Sequence, residues 1–178
     1  MFEYSTGSEI TDQAVALLGF LVSESMHGYE IHRRLSSPDA AGMVWHVRRS
    51  NMYAMLDKLE AVGWLTSQVE PAVPRPPRKR FSITPAGRQI FERWLQTPVL
   101  HPRDIRQVFL LKLYFAQRTS QTVTRTLVAA QHAQCQQWLT SQMEQHDPFA
   151  AAVAAYRTQQ VRAIHQWLTD LLTTLPEA

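Results

Sequence analysis

The sequence predicts a mainly α-helical chain broken once by a two-stranded β-hairpin, and three observations carry that reading. Apolar residues recur at helical spacing through most of the 178 residues. Only Trp64 to Val69 and Arg80 to Thr84 have strand composition, and Pro71, Pro74, Pro76 and Pro77 lie between them. From Pro98 onward Gln, Ala and Leu rise and the strand signals cease. The chain therefore divides into residues 1–97, helices with a hairpin, and residues 98–178, wholly helical.

In chain order, Met1 to Ile10 lack periodicity and read as a loose arm. Thr11 to Val22 is a strongly apolar helix, with Val15, Leu17, Leu18, Phe20 and Leu21 at its heart. Met26 to Leu35 follows as a second, shorter helix, and Ser36 to Gly42 is a turn-rich connector containing Pro38. The next helix is entered through Trp45 and Val47, has Ser50 as its N-cap, and stops at Gly63. Met52, Met55, Leu56 and Leu59 share one of its faces, and Ala54, Asp57, Lys58 and Ala61 the other. Proline cannot donate to a ladder, so Glu70 to Lys79 is the tip of the hairpin and not part of its strands. Thr84 caps a closing helix with Pro85 at its first position, carrying Ile90, Phe91, Trp94 and Leu95. Three helices, a hairpin with a basic tip and a closing helix make a winged helix-turn-helix module.

Beyond it, Pro102 opens a helix with Ile105, Val108, Phe109, Leu113 and Phe115, and a long helix runs from about Ser120 to His146. Asp147-Pro148 starts the last helix, in which Val161, Ile164, Leu168, Leu171 and Leu175 alternate spacings of three and four. That is the seam of a coiled-coil-like pair; it serves a homodimer or packing within the subunit, and the dimer is the expectation.

Charge is informative by its distribution. The net charge is only +3, yet Arg75 to Arg93 holds six basic residues against the single acid Glu92. Arg48 and Arg49 crowd the start of the third helix, while Asp57 and Glu60 lie further on. A helix dipole favours the reverse order, so an external anion such as phosphate is expected at this helix start. Arg48 and Arg49, with Arg78, Lys79 and Arg80 of the wing, are the expected phosphate contacts to double-stranded DNA. At the second helix, His27-Gly28-Tyr29 is placed for a backbone approach to phosphate, or for close helix packing at Gly28.

Other functions lack their residues. No run nears the ~18 apolar residues of a membrane helix, no signal pattern opens the chain, and the lone Cys135 suits the cytoplasm. There is no Gly-rich phosphate loop and no nucleophile elbow. His132 with Cys135, and His27 with His32, give no set of three or four converging ligands. Neither an enzyme nor a metal or other cofactor is expected.

With these residues in place the chain resembles the PadR family of transcriptional regulators. It is most similar to the longer members with a helical C-terminal domain, as in virulence-activator relatives. The similarity lies in Leu18-Gly19-Phe20-Leu21, Met26 to Ile31, Met52 to Leu65, and Arg78-Lys79-Arg80-Phe81-Ser82-Ile83-Thr84-Pro85-Ala86-Gly87. Phe109 to Phe115 matches more loosely. The resemblance implies a homodimer on a palindromic operator, usually a repressor, released by phenolic acids or other small aromatic effectors. It implies that Ser50, Asn51 and Tyr53 face the major groove. The proline-rich wing tip and the longer, more apolar Ser36 to Val47 depart from the family pattern.

Trp45, Phe91 and Trp94, with His101 and Tyr114 across the junction of the two halves, are candidates for an effector pocket, while residue by residue ordinary core between the halves is the preferred reading. Arg103 or Arg106 would neutralise a carboxylate there. The rival to DNA binding is a winged-helix module that binds protein.

Overall fold

A computed structural model of the chain describes residues 10–37, 41–71, 77–141 and 147–176. Its central rod is α1 (Asp12–Gly19), in which Ala14 through Leu18 are all buried. Thr11 Oγ1 accepts from the Ala14 N–H and caps its start. The apolar run continues to Val22, but the N–H groups of Phe20 and Leu21 turn back to the Leu17 and Leu18 carbonyls and end the helix.

Strand β1 (Met26–His27) leads directly into α2 (Gly28–Ser36). The connector forms one helical turn, α3 (Ala41–Val44), because Ala41 is buried; Pro38 lies outside the described residues. Helix α4 (Arg49–Ala61) starts one residue ahead of the expected Ser50 cap. Met52 N–H already donates to the Arg48 carbonyl there, and no side chain caps the end. Its stop is the expected one: Gly63 takes φ 76°, the left-handed conformation that glycine adopts without steric cost.

The wing is β2 (Leu65–Glu70) paired antiparallel with β3 (Arg78–Ile83), in a register from Leu65↔Ile83 to Glu70↔Arg78. Glu70, Arg78 and Lys79 are thus ladder residues and not the tip. Pro71 and Pro77 flank the ladder instead of interrupting it, so both stay out of the strands. Arg75 and the rest of the expected tip, residues 72–76, lie outside the described residues. The sheet has three strands in the order β1-β3-β2, with Met26↔Phe81 and His27↔Arg80 covering the second edge of β3. Helix α5 (Pro85–Gln96) begins as expected: the Thr84 hydroxyl accepts from the Gly87 N–H and donates to the Gly63 carbonyl.

The chain then makes a 3-10 turn (Pro102–Asp104) and a π-helical turn (Ile105–Phe109) before α6 (Leu110–Thr119). The wider turn buries Ile105, Val108 and Phe109 together, where a regular helix from Pro102 was expected. Helices α7 (Gln121–Thr140) and α8 (Pro148–Thr174) are capped by Ser120 and Asp147. The expected continuation of α7 to His146 lies outside the described residues.

Helices α7 and α8 run antiparallel, with Arg125 donating to the Leu172 and Leu175 carbonyls and the His132 and His165 rings 4.1 Å apart. Burial moves the His132 imidazole below its ordinary range, and His165 adds to the shift. This pairing closes most of the expected dimer seam. Val161 and Leu168 are buried inside the subunit, and Ile164, Leu171 and Leu175 pack half-buried against the same core. A three-and-four spacing serves an antiparallel pair within one chain as well as a pair between chains.

One core joins the two halves. Phe115 of α6 meets Phe20 and Phe91 edge-on at 5.1 and 5.5 Å. Lys112, 1% exposed, donates to the Trp94 and Thr97 carbonyls at 2.7 and 2.8 Å, so an ammonium from α6 caps the C-terminal end of α5. Trp94 in turn donates its indole N–H to Asp12 Oδ1 at 2.6 Å. Burial pushes the Lys112 ammonium down to about 8, with Asp12 opposing the shift.

Replacing Lys112 with Met leaves the buried Trp94 carbonyl and the half-buried Thr97 carbonyl without this donor, at an expected cost of about 1–3 kcal/mol for the buried one in denaturant unfolding at neutral pH. The ammonium titrates near 8 in the folded chain against an ordinary 10.5, so between these values the unfolded chain binds more protons. Stability should therefore rise with pH across that window relative to the Met variant. A flat difference would contradict the buried charge.

Candidate nucleic-acid interface

The interface is built on the division of α4 into two faces. Met52, Leu56 and Leu59 are fully buried. Burial of that stripe leaves Arg48, Arg49, Ser50, Asn51, Ala54 and Asp57 exposed. The first turn carries no acid and no side-chain cap, so its N–H groups have no carboxylate partner, and exposed Arg48 and Arg49 stand at its start. Met55, expected in the core, is only half-buried at the edge of the stripe.

Tyr53 is held on the flank by Gly28. A Cβ at Gly28 would stand 2.6 Å from the Tyr53 ring, so only glycine lets the start of α2 accept that ring. His27 is 9% exposed and belongs to the wing's internal network; Tyr29 lies outside, stacked on His27 with centroids 5.6 Å apart. The guanidinium of half-buried Arg78 sits 5.1 Å from the ring centre of exposed Tyr29, so the two form one cationic edge.

The three basic wing residues have different neighbours. Arg80 donates to Glu70 at 2.6 Å, to the Ser25 carbonyl at 3.1 Å and to His27 Nε2 at 3.0 Å. His27 Nδ1 lies 3.3 Å from the Lys79 carbonyl, and its Nε2 3.3 Å from Glu70 Oε2. Arg80 is accordingly held further above its ordinary range, chiefly by the Glu70 hydrogen bond, and Glu70 is held below its own by Arg80. Its guanidinium is committed to tying the wing to β1. Lys79 Nζ lies 3.3 Å from Glu60 and 3.8 Å from Asp57, both on α4. Among the described residues, Arg48, Arg49 and Arg78 pair with no carboxylate.

The expected effector residues do not converge. Phe91 and Trp94 are closed in the core, 2% and 0% exposed, because they stack on each other and join α5 to α1 and α6. Tyr114 packs on Phe115, with Arg118 3.7 Å from its ring centre. Trp45, 4% exposed, touches a shallow recess of about 350 Å³ beside Asn51, Met55 and Lys58 of α4. His101 lines a groove of about 830 Å³, where it joins Arg103 and Arg106 from the linker and Arg157, Gln160 and Ile164 from α8. Arg157 was not legible as a site residue, although it is the one charge between Asp147 and Arg162. Among the described residues no three His, Cys, Asp or Glu gather as metal ligands, and no helix is long and apolar enough to cross a membrane.

Residues 17–93 match the family model described as the transcriptional regulator PadR-like family. The chain is similar to the negative transcriptional regulator PadR of Bacillus subtilis, 28% identical over 100 residues, which are 56% of this chain and 54% of that protein. It is also similar to a probable transcriptional regulator of Mycobacterium tuberculosis, 28% identical over 91 residues, 51% of this chain and 47% of that protein. The chain thus spans about half the length of the curated relatives it matches. Among solved structures, Bacillus subtilis PadR in complex with operator DNA aligns over 93% of this chain and 100% of that one, with TM-score 0.49 and 22% identity. The same protein in complex with p-coumaric acid aligns over 94% of this chain and 100% of that one, with TM-score 0.44 and 22% identity. Residues 17–93, the segment that holds α4 and the wing, are thus where the chain is similar to the PadR-like family of transcriptional regulators.

Proposed function

We propose that this chain is a DNA-binding transcriptional repressor that acts as a homodimer on a palindromic operator and responds to a small aromatic carboxylate. One observation carries the DNA reading: the exposed face of α4 begins with an uncapped, acid-free first turn flanked by Arg48 and Arg49. Phosphate fits that end, and Ser50 and Asn51 beside it have the donors and acceptors that read base edges. Arg78 with Tyr29 on the wing extends the same cationic edge. The family match and the name of the Bacillus subtilis relative support repression. In this reading residues 1–97 bind DNA, and residues 98–178 supply dimerisation and the effector site.

The second copy is assigned to the N-terminal half of α8. From Pro148 to Gln160 no residue is buried, although the stretch is rich in Ala and includes Phe149 and Tyr156, 77% and 64% exposed. An apolar helix half left without a buried residue among the described residues is suited to a partner copy. Such a dimer would set two α4 helices in successive major grooves, roughly 34–36 Å apart.

The effector is assigned to the His101 groove. Arg103, Arg106 and Arg157 meet there with Asp104 as the nearby acid, 3.8 Å from Arg103, and Ile105 and Ile164 give an apolar wall. That lining suits a carboxylate on a flat apolar body. The groove joins the π-helical turn to α8, so a ligand with different affinity for two α8 placements would shift the spacing of the DNA-binding helices.

Three outcomes are expected. Arg48→Ala and Arg49→Ala should each weaken binding to all DNA sequences alike and lower the salt slope by about one; DNA binding indifferent to both would favour the protein-binding module. Phe149→Ser with Tyr156→Ser should shift the mass in light scattering from dimer to monomer, and an unchanged dimer would place the interface elsewhere. Calorimetric titration with p-coumarate should show binding that Arg106→Ala with Arg157→Ala reduces at least about tenfold, the loss of a charge-assisted pair. Undiminished binding would remove the groove as the site.

A further inference from the structure

The geometry points to Lys79 acting on the recognition helix and not on phosphate: its ammonium neutralises the acidic edge of α4 formed by Asp57 and Glu60. It rests on the DNA-binding reading above and makes Lys79 and Glu60 positioning residues of that interface.

The strand register decides where the side chain goes. Lys79 and Phe81 alternate with Arg78 and Arg80, so they leave β3 on opposite faces. Phe81 is fully buried, and the Lys79 ammonium lies 6.0 Å from its ring centre, on the α4 side of the sheet. There it sits 3.3 Å from Glu60 Oε2 and 3.8 Å from Asp57 Oδ1. Glu60 is held in place by a second bond, since the Ser67 hydroxyl donates to its other oxygen at 2.6 Å. One carboxylate of α4 therefore engages both wing strands, β2 through Ser67 and β3 through Lys79. Asp57, three residues earlier and on the same edge, has a side chain 64% exposed toward solvent.

The charges of the edge explain the arrangement. Two carboxylates within one turn of a helix that must approach phosphates repel them, and the repulsion is least screened where water is displaced. With Lys79 in place the edge carries one net negative charge; without it, two. For Lys79 to grip phosphate it must leave Glu60, which uncovers both carboxylates at the moment DNA arrives. Arg78, on the opposite face and free of carboxylates among the described residues, is left for the phosphate contact.

The two roles separate in a double-mutant cycle. Affinity for a DNA fragment that the wild-type chain retains would be measured by fluorescence anisotropy over a range of salt. The variants are Lys79→Ala in the wild-type background, in Asp57→Asn, in Glu60→Gln and in the double background. Gln at 60 keeps an acceptor for Ser67, and thermal melting checks that each variant is folded. Lys79→Ala should weaken binding about fivefold in the wild-type background and less than about twofold once both carboxylates are neutral. Equal loss in all backgrounds, with the salt slope lowered by about one, would make Lys79 a phosphate contact and overturn the inference alone. No loss in any background would also overturn it. A wild-type chain that retains no DNA would overturn the DNA reading and this inference with it.

Discussion

The structure of the interface depends on the burial of three side chains. Met52, Leu56 and Leu59 have no exposed surface, and each contributes about 1.5–3 kcal/mol by leaving water. Their stripe fixes the rotation of α4 about its own axis, so the polar face cannot turn inward without losing most of that gain. What faces outward follows from the 3.6-residue repeat: Arg49, Ser50 and Asn51 at the start, Ala54 and Asp57 along the length. Tyr53 lies between the faces, and the missing side chain of Gly28 gives its ring a seat. A rotation of α4 would also break the Glu60 bonds to Ser67 and Lys79, so helix and wing hold one another in register.

The wing is tied down from both sides. On one face Glu60 reaches Ser67 and Lys79; on the other, Arg80 gathers Glu70, His27 and the Ser25 carbonyl. A two-stranded ribbon is marginal in water, and the third strand of two residues completes a sheet anchored at the entry to α2. These ties use up charges that would otherwise look like a uniform basic strip. Of the wing's three consecutive basic residues, Arg80 is tied to Glu70, His27 and the Ser25 carbonyl, Lys79 is shared with α4, and Arg78 is half-buried and pairs with no carboxylate among the described residues.

Much of this was legible in the residues. The 3.6-residue repeat gave α4 its buried face, Gly63 its stop, and Thr84-Pro85 the start of α5. Other features were hidden for physical reasons. Met26-His27 is too short to show a strand period, and it reads as the start of a helix because α2 follows at once. Prolines at 71, 74, 76 and 77 suggested a long tip, yet the outermost of them mark the ends of the ladder and leave Arg78 and Lys79 inside it. The Val161 to Leu175 spacing does describe a helix pair, but its partner is α7 of the same chain. A sequence period specifies that a seam exists, not which helix covers it. Aromatic residues named for a pocket, Phe91 and Trp94, were drawn instead into the joint between the halves, where Lys112 caps α5. The cationic groove needed Arg157, some fifty residues from Arg106, and no local pattern joins them.

The C-terminal half thus has three surfaces with different partners. Its α6 face closes on the winged module, the later part of α8 closes on α7, and the earlier part of α8, beside the His101 groove, has no buried residue among the described ones. The central claim, that α4 and the wing form a sequence-reading DNA surface, is tested most directly by incubating the purified chain with fragmented genomic DNA from its own organism. The fragments retained at moderate salt would then be sequenced. The expected result is a small set of sites sharing a palindrome whose half-sites lie about one helical turn apart. Retention of nothing, or of fragments without a common motif, would contradict it.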